Sequence, residues 1–289
     1  MAALHLIIRS YVMVVRCAVV LSLAYAWLCG IVSRASAADN LYRMQTVVTG
    51  QLEPNRLIGF ATCLEDVLIK ITGAQKLAGD RRLAPYKSRA RDYVTGFNYH
   101  DQFSGKPIRD EQGTRDRPYD LTVDFDEKKI GDVLKVVGLK PWLGDRPVLA
   151  VFVEMKQDPR DFIITTDERQ SELQRDALRA AAERRGMSVV LPAAADVTKA
   201  GINAAELTRV PPPKLMPVAT SLGGAVPLVG RLTWDDRDLG WATQWQLDWQ
   251  GRTYRWQFRG VTFDEAFRRG VGGAAQVLSG NGDPRGKAR

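Results

Sequence analysis

Residues 147–191, PVLAVFVEMKQDPRDFIITTDERQSELQRDALRAAAERRGMSVVL, decide the fold. Val148–Val153 is a continuous apolar run, the pattern of a strand covered on both faces. Thr165-x-x-Glu168 resembles a capping box, which heads a helix running to Arg185. Gly186 stops that helix and Ser188–Leu191 returns as a strand. A strand, a helix and a strand in this order form a parallel pair joined by a right-handed crossover. The fold class is therefore α/β (α+β), with mixed sheets.

Downstream, Asn203–Arg209 reads as a short helix. Val210–Pro227 carries five prolines and reads as a loop. Leu228–Trp234, Trp241–Trp249 and Arg252–Phe258 then form a three-stranded antiparallel meander. Asp235-Asp236-Arg237-Asp238 and Gln250-Gly251 are its turns. Thr262–Leu278 closes as a helix, and residues 279–289 are expected to be disordered. This second unit spans 146–280.

Upstream, residues 39–144 form a first unit of β-α-α-β-β-α order. Leu41–Thr49 is a short strand. Pro54–Thr72 places Leu57, Phe60, Leu64, Val67, Leu68 and Ile71 on one helical stripe, and Gly73 ends it. Leu83–Tyr93 is a basic helix and Val94–Phe103 a strand. Ser104–Pro118 is a polar loop. Tyr119–Phe125 alternates strictly and Asp126–Val137 is helical. Two α/β units packed side by side are expected.

Residues 1–37 read as a signal peptide. Arg9 and Arg16 precede Cys17–Val32, an uncharged run of 16, and Ala35-Ser36-Ala37 offers a cleavage site after Ala37. Arg16 and Leu28 precede the two cysteines of this segment, so a lipoprotein signal is excluded. The expected location is the periplasm. An uncleaved Leu4–Val32 anchor in the inner membrane is the alternative, and membrane contact is expected only through that segment. Cleavage leaves 38 basic against 33 acidic residues, a net charge of +5, with His100 and Cys63 as the sole histidine and cysteine. That scarcity excludes disulfide scaffolds, zinc fingers and most histidine-centred catalysis.

Trp241, Trp245 and Trp249 share one strand face by period two, and Trp256 lies across the hairpin turn. They suit either a sheet core or a stacking platform for glycan. Arg81, Arg82, Lys87, Arg89 and Arg91 form a basic stretch, either a solvated helix face or an anion-facing patch. Asp120, Asp124, Asp126 and Glu127 cluster at one strand end, and residues 235–238 form a second acidic group. Neither has calcium-loop spacing. Cys63, on an amphipathic helix, reads as a buried thiol. The chain lacks a phosphate loop, a G-x-S-x-G elbow, an H-E-x-x-H pair and a C-x-x-C pair. No catalytic, cofactor or metal residues are assigned.

Leu41-Tyr42-Arg43, the helix end Val67–Gly73, Leu121–Asp126, and Gly138-Leu139-Lys140-Pro141-Trp142 with Arg146–Leu149 resemble the bacterial envelope family called domain of unknown function 2066. The Trp-rich hairpin before a closing helix adds to the likeness, which would cover about residues 40–280. The resemblance implies export and a shared α/β fold, and no activity. At fold level, the chain is similar to small envelope-assembly domains of the curli-secretion and penicillin-binding-protein-activator types.

The expectation is a non-enzymatic interaction or assembly protein of the cell envelope. Its partner would be an envelope protein or a cell-wall component, and not nucleic acid. A peptidoglycan-binding module using the Trp-rich hairpin is the alternative. A hydrolase built on Asp120, Asp124 or His100 is the weaker one.

Overall fold

A computed structural model describes residues 41–105, 117–210 and 212–285. The expected signal peptide and its cleavage site lie outside the described residues. So do residues 106–116 of the polar loop, Pro211 of the proline-rich stretch and the last four residues of the tail.

The first sheet has three antiparallel strands in the order β1-β3-β2. They are β1 (Arg43–Thr49), β2 (Val94–Asp101) and β3 (Pro118–Phe125). Helix α1 (Glu53–Thr72) covers one face, over Met44, Val48, Leu121, Val123 and Phe125. Its approach is close: a Cβ on Gly59 would stand 2.5 Å from Leu121 and 2.8 Å from Val48. Gly73, at φ +72°, ends α1 in the left-handed region and donates its N–H to Ile69.

The expected basic helix over Leu83–Tyr93 is interrupted. A 3₁₀ turn at Arg81–Leu83 leads into α2 (Ala84–Lys87), and a second 3₁₀ turn spans Ala90–Tyr93. Ser88 Oγ donates to Pro85 O, a local bond that competes with helix propagation. Helix α3 (Glu127–Val136) starts at Asp126, whose carboxylate accepts the Lys129 N–H.

The second sheet runs β5-β4-β7-β8-β9, with β6 also paired to β4. Its elements are β4 (Leu149–Gln157), β5 (Arg160–Ile163), α4 (Glu172–Arg184), β6 (Val189–Val190), α5 (Ala194–Lys199), α6 (Pro212–Ser221), β7 (Val226–Asp235), β8 (Gly240–Trp249), β9 (Arg252–Val261) and α7 (Phe263–Leu278). β4 pairs in parallel with β6 and β7, and the remaining pairs are antiparallel.

Four details depart from the sequence reading. β4 continues beyond Val153, because Glu154 is ion-paired to Arg231 on the neighbouring strand, and it then hairpins into β5. Thr165 and Glu168 make no capping box. The helix begins at Glu172 after a 3₁₀ turn, and the Thr165 N–H instead donates to Ser171 Oγ. The proline-rich stretch is no loop, for it holds α6. Prolines suit a first helical turn, where no N–H is needed, and burial of Leu215 and Ala219 outweighs the bond lost at Pro217. Residues 279–285, expected to be disordered, are tied down. Asn281 Nδ2 donates to Thr72 O, Asn281 O accepts from Lys76 Nζ, and Gln276 Nε2 donates to Asp283 O.

Both faces of the second sheet carry helices, to different extents. On one face α4 and α7 bury Leu149, Val151, Val153, Leu228, Leu232, Trp241, Trp245 and Trp256. α7 lies close enough that a Cβ on Gly273 would stand 2.5 Å from the Trp256 ring, and one on Gly270 would overlap the Trp245 ring. Gly270→Ala is expected to destabilise the fold by about 2 kcal/mol, because overpacking exceeds the gain in helix propensity. Thermal melts check this, and an unchanged midpoint contradicts it. On the other face α5, α6 and the 3₁₀ segment Ala204–Arg209 cover Ala150, Phe152 and Val229 through Val197, Ile202, Leu207, Leu215 and Ala219.

The C-terminal half of α1 is buried all round, and its polar groups bind α4. Asp66 accepts from Arg185 at 2.9 Å and also from Arg184, while Arg185 Nε donates to Gln75 at 2.8 Å. Arg146 stacks on Trp142, 4.4 Å from its ring centre. It donates to Lys70 O, Ile71 O and Trp142 O, and to Arg185 O and Gly186 O just past the end of α4. One guanidinium thus caps the carbonyl ends of two helices.

Lys70 is buried beside this joint and bonds Arg43 O at 3.2 Å. Burial pulls its pKa down from 10.5 to about 8, against the pull of Glu183. Between about pH 8 and 10.5 the unfolded chain therefore holds a proton the folded chain has released. The Lys70 contribution to stability rises with pH across that window, and the cost of burying the cation is fully present below it; above pH 9 the buried Cys63 thiol, raised from 9.0 to about 12, contributes the opposite slope. Urea titrations of a Cys63→Ala protein across the window should show the rise, and adding Lys70→Met should flatten it. An equal slope in both proteins contradicts the assignment.

Candidate functional site

The second helical layer stops at β7, so one half of the second sheet is covered on only one side. The register sets cross-strand rows that run from the covered half into the open one. One is Glu154–Arg231–Gln244–Gln257 and the next is Phe152–Val229–Gln246–Arg255. Strand alternation places the tryptophans of β8 and β9 on the α7 side and these amides and Arg255 on the other.

The covered end of the first row is neutralised. Glu154 is buried, which pushes its carboxyl pKa up against the pull of its ion pair with Arg231. Arg231 also donates to Ala205 O at 2.6 Å. Arg231 is thereby held away from the open half. Gln244 and Gln257 are exposed, face each other across the strand pair, and carry no side-chain hydrogen bond among the described residues.

Arg255 is pre-positioned. Its Nε donates to Gln246 Oε1 at 3.1 Å, and Gln246 Nε2 donates to Asp248 at 3.2 Å. Asp248 also accepts from Thr253 Oγ1. This chain fixes the guanidinium without a carboxylate touching it. A groove of about 660 Å³ lies here, lined by Thr208, Gln244, Gln246, Arg255 and Gln257, by Trp245, Trp256 and Phe258, and by Pro284 and Arg285 of the tail. Arg285 is paired with Asp283 at 2.7 Å. No carboxylate lines the groove among the described residues, so it suits anionic and hydrogen-bonding ligands.

The tryptophans do not form a stacking platform. Trp241, Trp245 and Trp256 are 7%, 2% and 3% exposed and Trp249 is half-buried, all against the α7 side. The shared face is real, but the glycines of α7 let that helix close over it. The glycan reading that depended on these rings is thereby corrected.

The basic stretch is also corrected, because three of its five cations are paired. Arg82 binds Asp80 and Val137 O, Lys87 binds Glu65, and Arg91 binds Glu53. Arg89 lines a shallow 340 Å³ pocket shared with Asp92, Lys129 and Asp132. With the helix interrupted, Arg81 and Arg89 lie on separate turns.

The acidic residues serve local structure. Asp124 pairs with Arg43, Asp120 accepts from Gln102, and Asp126 caps α3 with Glu127 in its first turn. His100 sits cross-strand from Asp120 on the face of the first sheet away from α1. In the 235–238 turn, Asp235 accepts the Arg237 N–H and Asp236 accepts from Trp234 Nε1. Among the described residues no group of three or more His, Cys, Asp or Glu converges on a metal-sized site. None of their helices is long and apolar enough to cross a membrane.

Cys63 is fully buried, and burial, with Asp66 nearby, pushes its thiol up to about 12. A thiol-specific disulfide reagent should leave native protein unlabelled and react at once in guanidinium. Rapid native labelling contradicts this placement.

Gln244, Gln246, Arg255 and Gln257 were missed in the sequence although they alternate with the tryptophans.

Residues 35–143 match a family model described as Domain of unknown function (DUF8605). This overturns the resemblance to domain of unknown function 2066. The motifs behind that likeness serve general ends: Gly73 and Gly138 (φ +74°) both terminate helices, a demand that recurs across unrelated folds. The matched stretch holds the first sheet with α1 and α3 and ends before the groove. No curated protein matches the chain.

Proposed function

We propose that the chain is an exported envelope protein that acts by binding, with the open β8–β9 face as its ligand site. One observation carries this reading. The helical cover ends at β7, leaving two unbonded amides beside an ordered arginine in a groove lined by no carboxylate among the described residues. The positive n-region, the apolar run and the Ala35-Ser36-Ala37 pattern support export.

The test has two parts. The full chain is expressed in a Gram-negative host, fractionated, and its N-terminus sequenced. A start at Ala38 in the periplasmic fraction is expected, and an intact Met1 in the cytosol refutes export. Purified protein is then titrated with cell-wall sacculi and with envelope protein fractions. Binding to one class should fall about tenfold in Gln244→Ala/Gln257→Ala and persist in Gln45→Ala, on the first sheet. Binding that ignores the groove variants, or no binding to either class, refutes the site.

A further inference from the structure

β9 is the edge of its sheet. It pairs with β8 alone, and its outer side has no strand partner among the described residues. In an antiparallel ladder every second residue turns its N–H and C=O to that outer side. An unpaired edge is a template for an incoming strand. The register with β8 is regular from Arg252 to Phe258 and shifts only beyond, so the usable edge is seven residues long. At about 3.3 Å per residue it spans roughly 20 Å.

The side chains beside this edge define what would pair with it. On the open face β9 presents Thr253, Arg255 and Gln257; Arg252, at the head of the strand, lies on the other face with its guanidinium 5.0 Å from the Tyr254 ring centre. A carboxylate on a new strand would lie about 5 Å from its cross-strand neighbour, within reach of Arg255. On the other face the rim is aromatic: Tyr254 and Phe258 are half-buried, with the Arg252 guanidinium over the first ring and that of Arg269 4.9 Å from the second ring's centre, so an incoming side chain meets the remaining ring edges. Alternate positions of the new strand would meet these rings. Trp245 and Trp256 border the groove but are 2% and 3% exposed, so neither offers a ring for a sugar to stack on, which favours a polypeptide over a glycan.

We infer that the ligand is an extended segment of a partner protein, alternating acidic and apolar residues, which adds to β9 as a further strand. This rests on the binding reading above. Main-chain bonds to the edge give the affinity, Arg255 selects the acidic positions, and Tyr254 with Phe258 takes the apolar ones.

The probe is a fluorescein-labelled peptide, (Glu-Val)₃-Glu, titrated against the full purified chain by anisotropy. Two further versions carry N-methyl amides at the Val or at the Glu positions, each blocking one edge of the peptide. The expected result is saturable binding of the parent, none of (Lys-Val)₃-Lys, and at least a tenfold loss for one of the two N-methylated forms. Arg255→Ala should weaken the parent about threefold, the size expected for an exposed ion pair, with an unchanged circular dichroism spectrum. If both N-methylated forms bind like the parent, charge alone holds the peptide; strand addition is then wrong while the groove remains a site. If the parent fails but sacculi bind in a Gln244- and Gln257-dependent way, the peptide inference falls and the binding reading stands. If nothing binds, both fall.

Discussion

Asp66→Ala lowers the free energy of unfolding by about 3–5 kcal/mol, the usual penalty for stripping the partner from a buried ion pair. Asp66 lies on α1 and is the only carboxylate bonded to Arg184 and Arg185 among the described residues. Arg185 is almost fully buried, with its one other side-chain bond going to the neutral Gln75. Removing the carboxylate leaves two adjacent cations at the joint between α1 and α4. The exposed Glu53–Arg91 pair is the control, and Glu53→Ala should change stability by less than about 1 kcal/mol. Urea denaturation with unchanged slope checks both. Equal effects at the two sites contradict the account.

Arg146→Met costs about 3 kcal/mol by a different route. The side chain keeps an apolar stem but loses every bond to the carbonyls of Lys70, Ile71, Trp142, Arg185 and Gly186. Buried acceptors left unmade cost about 1–3 kcal/mol each, and several of these relax only at the expense of a helix end. Arg146→Lys keeps the charge but not the planar fork, so it should recover less than half of the loss. Full recovery by lysine would show that charge, and not geometry, holds the joint.

Wherever side-chain periodicity was strong, the sequence told the truth about the fold. The apolar run at 148–153, the alternation of 119–125 and the stripe of α1 all specify elements found in place. Failures came where a tertiary contact overrode a local signal. Glu154 is polar yet internal to β4 because Arg231 lies beside it. The prolines of 212–217 sit in a helix because Leu215 and Ala219 are buried against the sheet. Asn281 is ordered because α1 presents the Thr72 carbonyl to it.

The site was legible only in its complement. Period two placed the tryptophans together on β8 and across the turn. It could not say which face a helix would close, since that depends on Gly270 and Gly273 some twenty residues away. Once α7 covers the rings, the remaining residues of the hairpin become the open face. Arg255 and its bonds to Gln246 and Asp248 follow from register, which a single sequence does not disclose.

The most direct measurement is cysteine protection at the groove in living cells. Thr208→Cys and Gln45→Cys, each built on Cys63→Ala, put one thiol at the rim of the groove and one on the first sheet. A maleimide that crosses the outer but not the inner membrane is applied to intact cells, and labelling is compared with that of the purified proteins. Both should label quickly when purified. In cells, Gln45→Cys should still label, while Thr208→Cys should be slowed severalfold by a bound partner. Equal labelling of the two in cells would contradict an occupied β8–β9 face, and absence of labelling at both would contradict export.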